Sequence, residues 1–278
     1  MCGGLERSER GTLFPQQLPL DFRRHAPAPE AARLVRWWWS CSWNVPPGRL
    51  WRQRLLPFPG SNLAAERELI GLAGPTTGAS HRDLAGRGRV VGALLQPAAI
   101  PAFTDDIAGL RDRYVALPEP GLFAELAAAG EQDPLEAVRV LQEWLLQRVG
   151  APEQEGLLAN EMVRLCEQDR EIRSLEDAAR ALSVSVRTLH RLAARYVGLT
   201  PYAIIRRRRL QDAAHRLRRE PRASIARIAA EAGFADHAHF AREFRRVLGD
   251  SPAGYRRATE RAAEHAGRHY DNSIRTSP

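Results

Sequence analysis

The sequence predicts an α+β multidomain chain with a small β-barrel domain, a helical connector and an all-helical C-terminal domain that contains two similar units. Near Pro118, short alternating apolar segments give way to stretches with helical periodicity. Towards the C-terminus, one pattern of apolar residues occurs twice, about fifty residues apart, and that stretch is strongly basic. These three observations predict the order of the domains, and 278 residues with 44% hydrophobic content suffice for two buried cores.

The predicted boundaries divide the chain into five segments. Flexible tails are expected over residues 1–20 and 259–278, with the β domain over 21–118, the helical connector over 119–172 and the repeated helical domain over 173–258. Within the connector, Asp133 and Pro134 predict the start of a helix, because aspartate caps helix N-termini and proline fits the first helical turn.

Composition excludes several classes of protein. No run of about 18 apolar residues occurs, so no membrane span is expected, and the opening "MCGGLERSERG" is unlike a secretory signal. The three cysteines, Cys2, Cys41 and Cys166, are far apart and odd in number, which is typical neither of a disulfide framework nor of a zinc site. We therefore expect a cytoplasmic protein without a cofactor.

The segment "RLVRWWWSCSW" predicts a strand of the β domain, since its apolar residues alternate. The expected face comprises Val35, Trp37, Trp39, Cys41 and Trp43. "RVVGALL" predicts another strand, and "PPG", "GPTTG" and "AGRG" predict turns. Trp37, Trp39 and Trp43 are candidate residues of an effector pocket, or else core residues; both interpretations hold if the barrel is hollow.

The helical domain repeats itself with an offset of fifty residues before a turn and fifty-one after it. Matched pairs include Leu175 and Ile225, Ala179 and Ala229, Leu189 and Phe240, and Pro201 and Pro252. Each copy predicts a short helix, a tight turn, a longer helix and a third helix capped by Thr or Ser in "GLTP" or "GDSP". "SLED" at Ser174 predicts a capping box, and "TPYAIIRRRRLQDAAHRLRRE" predicts one long basic helix between the copies.

Each copy has the features of a helix-turn-helix unit. Small alanines let its two helices cross closely, and the turn holds Ser183 in one copy and Gly233 in the other, where glycine permits a positive φ. The second helix buries one apolar side, and its early positions face away from the core. In such units these positions enter the major groove of DNA.

Charge supports a polyanionic partner for this domain alone. Between Ser174 and Ala258, 18 arginines stand against eight acidic residues, a net charge of +10, whereas the whole chain carries +8. The candidate base-contacting residues are Arg187, His190, Arg191, His237, Ala238, His239 and Arg242. Arginine can bond guanine O6 and N7 for about 1–3 kcal/mol of discrimination, and histidine can donate to the same acceptors. Candidate phosphate contacts, with a solvated face as the alternative, are Thr188, Arg195, Arg206, Arg207 and Arg245.

The sequence also allows interpretations other than DNA binding. His237, His239 and Glu243 suggest a metal, but the two histidines are two residues apart on a helix and do not face each other, so no metal site is expected. No catalytic residue is identified, because no Ser-His-Asp spacing, phosphate loop or carboxylate pair stands out, and the protein is predicted not to be an enzyme. The rival functions are an enzyme with a catalytic β domain and a non-specific architectural binder of nucleic acid.

The second copy, "IARIAAEAGFADHAHFAREFRRVLGDSPAGYR", resembles the DNA-binding domain of the AraC/XylS family of bacterial transcription regulators, and so does "RLQDAAHRL" in the long helix. The resemblance covers about 85 residues. The first copy departs from the family pattern at Ser183, where glycine is common, and at Ala193, where a bulky aromatic is common. "LLPFPGSNL", "GPTTG" and "VVGALLQPAAI" more weakly resemble cupin-like regulatory domains.

The resemblance implies a sequence-specific transcription factor whose partner is double-stranded promoter DNA. It places the family's base-reading positions on the seven candidate residues named above. RNA polymerase, a small-molecule effector and a second copy of the chain are left open as further partners.

Overall fold

The computed structural model describes residues 20–55, 59–66, 69–130 and 133–261. The predicted tails lie outside the described residues, except that Leu20 begins a strand and residues 259–261 continue a helix. A β-rich N-terminal part is followed by a helical C-terminal part, as predicted. Among the described helices, none is both long enough and apolar enough to cross a membrane.

Eight strands form the N-terminal domain. They are β1 (Leu20–His25), β2 (Val35–Asn44), β3 (Trp51–Leu55), β4 (Asn62–Ala65), β5 (Ile70–Ala73), β6 (Ser80–Leu84), β7 (Arg87–Leu95) and β8 (Tyr114–Leu117). Six of them form an antiparallel sheet in the order β1-β2-β7-β4-β5-β8, and β3 pairs with β6 in a second sheet. In this pairing of the described strands, the predicted barrel takes the form of two sheets with a cavity between them.

A β-bulge near the start of β2 changes which residues face the cavity. The register with β7 shifts between Val35 and Trp37, and such a shift resets the alternation of side chains along a strand. Val35 therefore lies with Trp38 in the domain core. The cavity face of β2 consists of Trp37, Trp39, Cys41 and Trp43. The prediction of a single face from Val35 to Trp43 is thus wrong at its first residue.

The predicted connector divides between two cores. Its helices are α1 (Pro120–Gly130), α2 (Pro134–Val149) and α3 (Gln154–Gln168). Asp133 caps α2 by accepting a hydrogen bond from the Leu135 N–H, as its sequence predicts. Leu141 and Leu145 of α2 are buried in the core of the β domain, whereas Met162 and Cys166 of α3 are buried with the helices that follow. The chain therefore passes from one core to the other between α2 and α3.

The C-terminal helices follow the predicted repeat. They are α4 (Leu175–Ala181), α5 (Val186–Tyr196), α6 (Pro201–Arg219), α7 (Ile225–Glu231) and α8 (His237–Leu248), with a further helix over 252–261. We call α4 with α5 the first unit and α7 with α8 the second unit. Side-chain caps begin these helices at Ser174, Ser185, Thr200, Ser224 and Asp236. The cap at Ser174 is the capping box expected from "SLED", completed by Asp177.

The long helix α6 belongs to both units. Ile204 and Ile205, near its start, are buried in the core of the first unit. Leu210 and Leu217, further along, are buried in the core of the second. Because one continuous helix contributes to both cores, a displacement of α6 displaces α5 and α8 together.

Candidate nucleic-acid interface

Helices α5 and α8 each bury one side and expose the other. Leu189 and Leu192 of α5 are fully buried, as are Phe240 and Phe244 of α8. The seven residues predicted to contact bases all lie on the exposed side: Arg187, His190, Arg191, His237, Ala238, His239 and Arg242. Their exposure is what a base-reading surface requires, and whether they contact bases stays a prediction.

The cap of α8 fixes where its exposed first turn begins. The Asp236 carboxylate accepts hydrogen bonds from the Ala238 N–H at 2.9 Å and the His239 N–H at 3.1 Å. These backbone bonds lower the pKa of Asp236. The His239 and Phe234 rings pack in a T-shaped arrangement with 5.7 Å between their centroids. His237 and His239 are therefore carried by a helix start that is anchored on both its backbone and its apolar side.

The first unit carries an acidic partner that the sequence reasoning missed. Glu155, in the first turn of α3, bonds to Arg191 and accepts a second hydrogen bond from Arg195 at 2.8 Å. Glu153 lies 3.3 Å from the same Arg195 guanidinium. Pairs this exposed contribute only about 0–1 kcal/mol each, so a DNA phosphate can compete for both arginines. No sequence signal pairs these residues, because about 36 to 40 residues separate Glu155 from its two partners.

Four of the five candidate phosphate-contacting residues are at least partly accessible. Arg195 and Arg245 are exposed, and Thr188 is half-buried beside the Ser185 hydroxyl at 2.9 Å. Arg206 is half-buried and pairs with Glu243 at 3.0 Å. Their phosphate contacts stay predictions.

The structure contradicts the prediction for Arg207. Its residue surface is only 5% exposed, and its Nη2 donates to the Thr76 carbonyl of the β domain. Four consecutive arginines on a helix face different directions, and Arg207 faces the interface between the domains. A phosphate cannot reach it there.

The β domain contains a cavity of about 290 Å³ between its two sheets. Trp37, Trp39 and Trp43, the predicted pocket residues, all line it. Two arginines that the sequence reasoning did not select also line it. The Arg24 guanidinium lies 4.2 Å from the centroid of the Trp37 ring, and Arg82 pairs with Glu66. The cavity wall is therefore aromatic with cationic groups, which suits a compact, largely apolar ligand.

The histidines of α8 do not assemble a metal site. Among the described residues, no group of three or more His, Cys, Asp or Glu side chains is arranged to hold a metal ion. Glu243, the carboxylate nearest in sequence to the histidines, instead bonds to Arg206 and Arg246.

Two family models match separate parts of the chain. A model described as a helix-turn-helix domain matches residues 178–258. A model described as a domain of unknown function, DUF6597, matches residues 23–116. The matched ranges correspond to the two units with α6 and to the β domain.

Two similar curated proteins are transcriptional activators. The HTH-type transcriptional activator RhaS of Escherichia fergusonii is 41% identical over 87 residues, 31% of each protein. RhaS of Salmonella schwarzengrund is 37% identical over 111 residues, 40% of each protein. The chain thus matches less than half the length of these relatives.

Among solved structures, ToxT from Vibrio cholerae aligns with 75% of this chain and 97% of its own chain, at 10% sequence identity and a TM-score of 0.41. The helix-turn-helix family model falls on the repeated helical segment near the C-terminus. Residues 178–258 are a helix-turn-helix domain of the AraC/XylS type, preceded in this chain by the β domain that matches DUF6597.

Proposed function

We propose that this protein is a sequence-specific regulator of transcription that binds promoter DNA through α5 and α8. The observation that carries the proposal is that both helices expose basic and histidine side chains while their opposite sides are buried in cores that share α6. Two such helices, held by one connecting helix, can enter successive major grooves about 34 Å apart on one face of the duplex.

Each set of residues has a distinct role in this proposal. Bases are read by Arg187, His190, Arg191, His237, Ala238, His239 and Arg242, and phosphates are contacted by Thr188, Arg195, Arg206 and Arg245. Arg242 and Arg191 occupy matching places in the two copies. Of this pair, Arg191 bonds to the Glu155 carboxylate of α3, so the second unit offers its arginine to DNA more readily than the first.

The cavity of the β domain gives the protein a means of regulation. Its aromatic wall and its volume suit a small, mainly apolar effector. Binding of an effector there shifts the population of chains able to engage DNA or RNA polymerase. A homodimer fits this function because one pair of units offers limited contacts, and a cytoplasmic location follows from access to DNA in bacteria.

Selection of bound genomic fragments by the full-length protein, followed by anisotropy titrations at several salt concentrations, tests the proposal. We expect a recovered duplex to bind at least about 10³-fold more tightly than a scrambled duplex. Affinity that falls steeply with salt but shows no sequence preference would instead identify an architectural binder that uses charge alone.

A further inference from the structure

One loop of the β domain touches both the cavity and the DNA-binding helices. It joins β5 to β6 and comprises residues 74–79, and we call it the 74–79 loop. Gly74 and Thr76 line the cavity. Ala79 packs against the core of the second unit. A Cβ atom on Gly78 would lie 3.0 Å from the carbonyl oxygen of Arg246 in α8, so loop and helix are in close contact.

The first unit also meets this loop. Gly198, just after α5, has a left-handed φ of +76°. A Cβ there would lie 3.1 Å from Pro75 and 2.8 Å from the carbonyl oxygen of Ile107. Different residues of the 74–79 loop thus contact the cavity, the first unit and the second unit.

Arg207 of α6 is the polar contact at the centre of this interface. Its Nη2 donates to the carbonyl of Thr76, while its buried Nη1 has no hydrogen-bond partner among the described residues. Burial lowers the pKa of Arg207 to about 10, against the opposing effect of Glu167 and Asp112. A buried cation with part of its donor set unmatched is costly. The docked arrangement therefore carries a desolvation cost that exposure of the guanidinium to water would relieve.

An ion pair also joins the strand β2 of the cavity wall to helix α3. Arg36, in the bulge of β2, bonds to Glu167 of α3. The Arg36 guanidinium also lies 5.0 Å from the ring centroid of Trp37, which lines the cavity. Burial raises the pKa of Glu167, and the charges of Arg36 and Arg207 act against that rise. One buried carboxylate therefore interacts with arginines from both sides of the interface.

We propose that Arg207 couples the cavity to the DNA-binding domain, by docking α6 on the wall of the cavity through the Thr76 carbonyl. The inference rests on the proposed function, since it assigns a regulatory role to the same cavity and helices. A molecule in the cavity contacts Gly74, Thr76 and Trp37, and any displacement of the 74–79 loop changes the docking of Arg207. Because α6 is shared by both units, the change reaches α5 and α8 together.

Hydrogen exchange of the full-length protein, without DNA or ligand, tests the docking. Arg207→Met removes the charge and the donor but keeps an unbranched side chain. Arg208→Met is the matched control, because Arg208 is also buried in α6 but donates to the Asp169 and Ile172 carbonyls, between α3 and α4, and not to the β domain. We expect Arg207→Met to speed exchange in the 74–79 loop about tenfold, including at Thr77, whose N–H donates to Asp112. Arg208→Met should speed exchange near residues 166–172 and leave the loop unchanged.

Tryptophan emission tests the coupling itself. All six tryptophans lie before residue 145, outside α3 to α8. Binding is measured at low salt by the anisotropy of a labelled mixed-sequence duplex. The tryptophan emission of the protein is then measured as the same duplex is added without the label. In the wild type, we expect DNA to change the emission. In Arg207→Met, we expect the duplex still to bind, because the exposed residues of α5 and α8 are unchanged, and the emission change at saturating duplex to fall at least about fivefold.

Three outcomes would overturn the inference: loop exchange that Arg207→Met leaves unaltered, loop exchange that Arg208→Met alters equally, or DNA binding that leaves wild-type emission constant. A protein that fails to bind DNA refutes the proposed function instead, and the exchange measurement then decides the docking alone. A melting temperature for each variant, read by circular dichroism, separates loss of docking from loss of fold.

Discussion

Ser183 and Gly233 lie fifty residues apart and share the same left-handed backbone, with φ of 56° and 78°. The Ser183 N–H donates to the Arg180 carbonyl at 3.1 Å, and the Gly233 N–H donates to the Ala230 carbonyl at 2.9 Å. The two turns thus have the same conformation although only one contains glycine. A left-handed conformation costs an L-residue about 1–2 kcal/mol, so the first unit folds at the expense of backbone strain that the second unit avoids.

We expect Ser183→Gly to stabilise the protein by about 0.5–1 kcal/mol, less than the full strain because glycine also gains entropy in the unfolded chain. Gly233→Ser is the reciprocal variant and should destabilise by a similar amount. Its Cβ would meet the Arg209 guanidinium only at ordinary contact distance, 3.4 Å, so its effect is mainly conformational. Urea unfolding of the full-length variants measures both. Equal stability of Ser183→Gly and the wild type would show that the turn is not strained.

The turn illustrates which features the sequence could predict. The helices, their caps and the turns of the repeat depend on residues within a few positions of one another, and "SLED" at Ser174 or glycine at 233 signals them directly. The Trp37, Trp39 and Trp43 face was predictable from alternation over seven residues. The exclusion of Val35 from this face was not predictable, because the bulge depends on pairing with β7, a strand that begins about fifty residues further along the chain.

The partners of the individual arginines in α6 were not predictable for a similar reason. Arg206, Arg207 and Arg208 are adjacent and chemically identical in the sequence. The structure pairs the first with Glu243, docks the second on Thr76 and directs the third to carbonyls after α3. Each destination is set by the packing of α6 against segments at least 36 residues away in the chain. Local patterns contain no information on such contacts.

Arg242→Ala tests base reading by the second unit. If Arg242 bonds a guanine in bidentate fashion, its loss relaxes the preference at one position by about 1–3 kcal/mol and leaves the others intact. Arg245→Ala, three residues along the same exposed helix, is the control for a phosphate contact. It should weaken binding to all sequences alike and reduce the salt slope by about one. Selection from a randomised duplex library with each variant measures the preference, and an unchanged preference in Arg242→Ala would remove that residue from the base-reading set.

Glu155→Gln tests the acidic partner of the first unit. The substitution removes the carboxylate that holds Arg191 and Arg195, so both guanidinium groups become more available to DNA. We expect tighter binding by about two- to fivefold at low salt and a steeper dependence on salt, since exposed pairs contribute less than about 1 kcal/mol. Anisotropy titrations from low to high salt measure both quantities.

Glu161→Gln is the matched control for this substitution. Glu161 also lies on α3, but it pairs with Arg164 of the same helix at 2.5 Å. It should change neither the affinity nor its dependence on salt. If Glu155→Gln behaved like this control, Glu155 would not restrain the first unit.

Ala64→Leu tests whether the cavity between the sheets binds ligands. Ala64 lines the cavity, whereas Ala65, the next residue of β4, is buried on the opposite side with the core of the β domain. N-phenyl-1-naphthylamine, a neutral apolar fluorophore, serves as the probe. A leucine side chain at residue 64 occupies space in the cavity, so we expect it to lower the affinity for the probe about tenfold, equivalent to ~1.4 kcal/mol. Ala65→Leu overfills the core instead and should lower stability by about 1–3 kcal/mol. Because adjacent residues of a strand face opposite sides, equal effects of the two substitutions on probe affinity would mean that the probe binds elsewhere.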